Sequence, residues 1–167
     1  MFMILSMTTG MLGQATTTGD RWSAWNFLLG EWIGEGSGDP GHGSGGFTLS
    51  PDLQNTVLVR KNFASYPPTK DRPAFTHEDL MVIYYENDRL QAIYFDSEKH
   101  VIRYSIEFSK DSSAVTFLSD AIASAPRFRF TYAKAQSETL KISFDIAPAD
   151  KPESFSRYIE ATARKKK

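Results

Sequence analysis

HVIRYSIEF, His100–Phe108, is the stretch that decides the fold. His100, Ile102, Tyr104, Ile106 and Phe108 share one parity, while Val101, Arg103, Ser105 and Glu107 share the other. Successive side chains of a strand point to opposite faces, so this segment reads as a strand with an apolar face inward and a polar face in water. The same alternation recurs downstream. Phe128, Phe130 and Tyr132 oppose Arg127, Arg129 and Thr131, and Leu140, Ile142, Phe144 and Ile146 oppose Lys141, Ser143 and Asp145. Upstream, NTVLVRKNFASY and EDLMVIYYE are apolar on both faces, which leaves their orientation open.

Further β-branched and aromatic segments, RLQAIYFD, AVTFLSD and RYIEATAR, fill the intervals between short polar breaks. With two strands from the glycine-rich region, the total is about ten. No long helical pattern interrupts them. The expected fold is all-β: a closed, antiparallel, up-and-down β-barrel of about ten strands. Before it, RWSAWNFLLGEW places Trp22, Trp25, Leu28 and Leu29 at helical spacing, predicting a short N-terminal helical cap that ends at Gly30. Residues 20–167 read as one barrel domain, with no repeat or linker.

Composition narrows the function classes. The formal net charge is -1, from 19 basic and 20 acidic residues, which gives no electrostatic footprint for nucleic acid. The closing run Arg164-Lys165-Lys166-Lys167 reads as a solvated tail. With no cysteine, disulfides, thiolate metal sites and Cys nucleophiles are excluded. Residues 1–19 read either as a signal peptide, with an apolar core from Met1 to Leu12 and small residues around Gly13-Gln14-Ala15, or as a disordered leader. The first predicts a secreted or periplasmic protein, the second a cytoplasmic one. No transmembrane segment is expected.

All 11 glycines precede Phe47, and they concentrate in GEWIGEGSGDPGHGSGGF, Gly30–Phe47. Glycine weakens a strand, because it has more freedom to lose and no side chain to bury. If Trp32 and Phe47 point inward, so do Gly34, Gly36, Gly38, Gly43 and Gly45. One wall of the interior then has almost no side chains. That bare wall serves a ligand cavity, a sharp barrel bend, or a packing surface for the Trp22–Trp25 segment.

The up-and-down path sorts the loops. Tight turns near residues 50–53, 86–88, 110–112 and 136–137 share one end, and the longer loops share the other, which is the expected mouth. His42, His77 and His100 all fall at the mouth, with Tyr66, Asp79, Asp96, Asp120 and Arg127. His77 and Asp79 share a strand face, a spacing that suits an acid–base pair. No metal-ligand spacing joins any two of the histidines, so no metal is expected. Arg127 and Arg129 read as outward solvent charges or, if their parity is the inner one, as partners for an acidic ligand headgroup. The candidate ligand-binding residues are Gly34, Gly36, Gly43, His77, His100, Tyr104, Phe130 and Tyr132.

Gly30-Glu31-Trp32 is a Gly-x-Trp at the start of the first strand, after a helical turn. It resembles the opening of lipocalins and fatty-acid-binding barrels, the calycin superfamily. LLGEWIGEGSG is more closely similar to the opening of ten-stranded, nitrobindin-like barrels and their bacterial relatives. The lipocalin resemblance implies a late arginine over the tryptophan, and Arg164 is the matching candidate, with Trp32 and Arg164 as a structural cation–π pair. The nitrobindin resemblance implies haem on a histidine near the C-terminus. RYIEATARKKK has no histidine, and a haem ligand from His42, His77 or His100 would need another geometry, so no cofactor is expected.

The leading expectation is a non-catalytic barrel that binds a small hydrophobic or amphipathic ligand in its cavity. Two alternatives stand beside it. One is an interaction barrel with an aromatic-filled interior, credible with 12 Phe and 7 Tyr. The other is a haem- or metal-binding, nitrobindin-like protein.

Overall fold

A computed structural model describes residues 21–38 and 41–167, with side chains outside 35–42. The expected signal peptide or leader, the His42 side chain and the surroundings of the proposed cavity position Gly36 lie outside the described residues. A 3-10 turn, Ser23–Trp25, precedes ten strands. These are β1 (Gly30–Gly38), β2 (Gly41–Asp52), β3 (Val57–Tyr66), β4 (Phe75–Glu86), β5 (Arg89–Asp96), β6 (Val101–Phe108), β7 (Ala114–Ser119), β8 (Arg127–Gln136), β9 (Thr139–Ala147) and β10 (Ser156–Lys165). Each pairs antiparallel with its neighbour in sequence, and β1 pairs with β10 to close the barrel. Closure removes the exposed sheet edges that would otherwise template aggregation.

Local chemistry explains the path. Asn87 and Asp88 both take positive φ, 48° and 59°, in a two-residue turn whose twist matches the flanking strands. In β6 the alternation holds for Tyr104 and Ile106, which are buried, and for Arg103, Ser105 and Glu107, which are exposed; in β9, Ser143 and Asp145, expected on the solvent face, are buried. In β3 and β4, whose orientation was open, Leu58, Arg60, Met81 and Ile83 are the buried set.

The barrel is filled at one end and open at the other. At the tight-turn end, Trp25 is fully buried, with ring centroids 5.1 Å from Phe108 and 6.0 Å from Phe117. Trp22 donates its indole N–H to the Asn55 carbonyl at 2.9 Å, and Trp32 donates to the Leu28 carbonyl at 2.8 Å. The Trp22–Trp25 segment therefore plugs the barrel end and does not pack on the glycine wall.

The expected Trp32–Arg164 pair is corrected by one residue. Trp32 faces Lys165 in the β1–β10 register, and the Lys165 ammonium lies 5.6 Å from the indole centroid. Arg164 stands opposite Ile33 and is exposed. The closing basic run is not simply a solvated tail either: Lys165 ends β10, and Lys166 binds Glu31 at 2.6 Å.

The glycine wall serves both a close approach of backbones and a cavity. A Cβ on Gly45 would lie 2.3 Å from the Phe63 carbonyl oxygen, and one on Gly46 would lie 2.3 Å from the Trp32 carbonyl oxygen. Backbone approaches this close admit only glycine. At Gly34 the nearest atom to a Cβ is the Gly45 oxygen at 3.4 Å, an ordinary contact. Gly34 is free of that constraint and borders the cavity.

Candidate functional site

Above the buried aromatic end lies a cavity of about 540 Å³, opening among the longer loops. Its volume falls within the usual range for small-molecule sites. Three walls differ in chemistry. Gly34, Gly43 and Gly45 form the bare wall on β1 and β2. Phe128, Phe130, Ile142, Phe144 and Ile146 form an apolar wall on β8 and β9. Arg60, Asn62, His77, Asp79 and Tyr94 form a polar wall on β3, β4 and β5.

The polar wall is a connected network. Arg60 is buried, and its guanidinium binds the Asp79 carboxylate. Its Nε donates to the Tyr132 hydroxyl at 2.5 Å. Asn62 donates to Asp79 Oδ2 at 2.8 Å. His77 places Nε2 3.5 Å from Asp79 Oδ2 and 3.1 Å from the Tyr94 hydroxyl, and Nδ1 3.1 Å from Glu98 Oε1. Register brings these groups together, because Asn62 pairs with Asp79 and Asp79 with Asp96 across three strands. Two carboxylates directly opposite one another repel unless cations compensate them. Here Arg60 and His77 face Asp79, and His100 Nδ1 lies 2.8 Å from Asp96 Oδ2.

Proton affinities follow from these contacts. Burial opposes the charge on Arg60, but the Asp79 carboxylate, together with Tyr132 and Tyr94, outweighs it and raises the guanidinium above its ordinary value. Burial pushes Asp79 up, and Arg60, His77 and Asn62 together bring it below the ordinary carboxylate value. Hydrogen bonding to Asp79, aided by Glu98, outweighs partial burial and raises His77 to about 9. Burial raises Tyr94, Tyr104 and Tyr132, so all three remain neutral phenols at ordinary pH.

Of the residues expected to bind ligand, Gly34, Gly43, His77, His100, Tyr104 and Phe130 line the cavity. Tyr132 does not: it is buried beneath the cavity, with its hydroxyl taken by Arg60. His100 precedes β6 instead of opening its inward face, and its side chain is 58% exposed at the rim. Arg127 and Arg129 point outward, binding Glu153 and Asp145. Sequence reasoning missed Arg60. The available signal was its parity with Leu58 and Asn62, opposite Val59, Lys61 and Phe63, but both sets contain apolar residues.

Both ring nitrogens of His77 face hydrogen-bond partners, Nε2 towards Tyr94 and Asp79 and Nδ1 towards Glu98, while exposed His100 faces Asp96. No protein-family model matches this chain, and a search of curated proteins finds no match. The ten-strand closed barrel is consistent with a calycin-like fold.

Proposed function

We propose that this barrel binds a small, largely apolar molecule with a polar end, and holds it without catalysis, as lipocalin-like barrels do. The observation that carries this reading is the cavity itself: about 540 Å³, with an aromatic wall facing a hydrogen-bonded polar wall. Such a site buries an apolar body by the hydrophobic effect and orients it through a few fixed polar groups. Phe128, Phe130 and Phe144 receive the apolar body. The Tyr94 and Tyr104 hydroxyls receive the polar end. A binding role without turnover suits the polar wall, whose carboxylate, guanidinium and imidazole are already committed to one another.

The experiment combines two measurements. The purified protein is extracted with organic solvent and the extract examined by mass spectrometry. In parallel, the solvent-sensitive dye 1-anilinonaphthalene-8-sulfonate is titrated into extracted protein. Saturable one-to-one dye binding, weakened by Gly34→Leu and Phe130→Trp, is expected. Absence of saturable binding, or binding indifferent to both substitutions, overturns the reading.

A further inference from the structure

The cavity mouth carries a donor set that ligand burial does not use. His77 on β4 and the turn Asp96-Ser97-Glu98-Lys99-His100 bring imidazoles and carboxylates to one place. One ligand atom from each of His77, Asp96 and Glu98 lies within 4.8 Å of the others. We propose that these three residues bind one divalent first-row transition-metal ion, with Tyr94, Asp79 and His100 as positioning residues.

The spacing suits such an ion. Bonds of about 2.0–2.2 Å to nitrogen and oxygen place neighbouring donors roughly 3 Å apart. His77 Nδ1 and Glu98 Oε1 already stand at 3.1 Å. Glu98, whose side chain is 56% exposed, has room to turn towards the ion. The turn supplies alternate residues on one side. Lys99 takes a φ of 74°, and its N–H bonds to the Asp96 carbonyl at 3.1 Å, folding the segment back on itself.

The outer contacts are those of a metal site. A ligating histidine normally donates its other ring N–H to a carboxylate or similar acceptor, which sets the tautomer. His77 Nε2 has Asp79 and Tyr94 for that purpose, and Arg60 and Asn62 hold Asp79. Nδ1 is thereby the coordinating nitrogen, and the ion displaces its proton. Asp96 is held in the same way. Its Oδ1 accepts the Glu98 and His100 backbone N–H groups at 2.9 Å each, and its Oδ2, which faces His100 Nδ1 at 2.8 Å, keeps a second lone pair for the ion. One imidazole with two carboxylates suits Zn²⁺, Mn²⁺ or Fe²⁺ better than the all-oxygen preference of Mg²⁺ or Ca²⁺. Three protein donors leave coordination positions open, and all three donor residues line the cavity.

The test uses tag-free full-length protein, stripped with chelator and dialysed, titrated with ZnCl₂ in a calorimeter. One Zn²⁺ per chain is expected. His77→Ala and Glu98→Gln should each weaken binding by about tenfold or more, and Tyr94→Phe should weaken it with unchanged stoichiometry. Glu107→Gln, on the outer wall, should leave it unchanged. Melting curves in chelator check that each variant is folded, and Glu98→Gln, on an exposed side chain, keeps the test open if His77→Ala does not fold. No saturable Zn²⁺ uptake overturns the proposal. So does uptake that survives Glu98→Gln and every folded His77 variant.

Discussion

Arg60 on β3 donates from Nε to the Tyr132 hydroxyl on β8 at 2.5 Å, and these strands lie opposite one another in the closed strand order. The contact therefore crosses the bore. It divides the buried aromatic end, with Trp25 and Phe117, from the cavity above. Arg60 also sits over aromatic faces, 5.4 Å from the Phe47 centroid and 5.4 Å from that of Phe130, so its charge is held by rings as well as by Asp79.

Removing one partner of a buried ion pair leaves an uncompensated charge. Arg60→Met should destabilise the barrel by about 3 kcal/mol in urea denaturation. Arg60→Met with Asp79→Asn should cost less than the two single changes added together, by about 1 kcal/mol or more. Strict additivity would show that the two residues do not act as a unit.

The glycine wall separates stability from binding. Gly45→Ala forces a Cβ against the Phe63 carbonyl and should lower stability by about 2 kcal/mol. Gly34→Ala meets only an ordinary contact and should change stability by less than about 1 kcal/mol. Gly34→Leu should retain the barrel while reducing dye uptake. Thermal melts run beside the dye titration check all three.

On the outer wall, Asp145 accepts from Arg157 Nε at 2.5 Å and from Arg129 Nε at 3.1 Å. Burial pushes its carboxyl up, but these two guanidinium contacts outweigh burial and hold it below the ordinary value. A depressed folded pKa means that the unfolded state takes up the proton first as pH falls. The stabilisation is fully present above the unfolded carboxylate value and is lost as pH drops through the lower folded value. Asp145→Asn should cost about 1–3 kcal/mol at neutral pH. Denaturation midpoints of the two proteins should converge on acidification. A gap that persists in strong acid would refute the charge argument.

Trp25 is fully buried, yet its Nε1 finds no hydrogen-bond partner among the described residues. Trp25→Ala should cost about 3–5 kcal/mol through lost burial and the cavity left behind. Trp25→Phe keeps an aromatic body and removes the orphaned N–H, so it should cost substantially less. Chemical denaturation of both variants measures the difference.

Much of the architecture was legible because strand alternation is a local property. Ile102, Tyr104, Ile106 and Phe108 declare an inner face without reference to any partner, and Asn87-Asp88 declares a turn from its own backbone preferences. Those features were enough for the strand number, the antiparallel path, the closed barrel and the inward set that borders the cavity. Phe130 was legible as a cavity residue for the same reason, and His77 from its place at the longer-loop end.

What the residues meet across the bore was not local. Arg60 reaches Tyr132, and Asp79 faces Asp96, through the register of successive ladders. Bulges shift that register at Arg157/Ile159 and Lys134/Gln136, and the first brings Tyr158 against Phe144 at 6.2 Å. One residue of closing register separates the cation expected over Trp32, Arg164, from the one found there, Lys165. The sequence by itself determined strands, faces and closure, because hydrophobic periodicity is written within each segment. The tertiary structure alone decided the Arg60 network and the His77–Asp96–Glu98 cluster, because register accumulates around the whole barrel and no single strand encodes it.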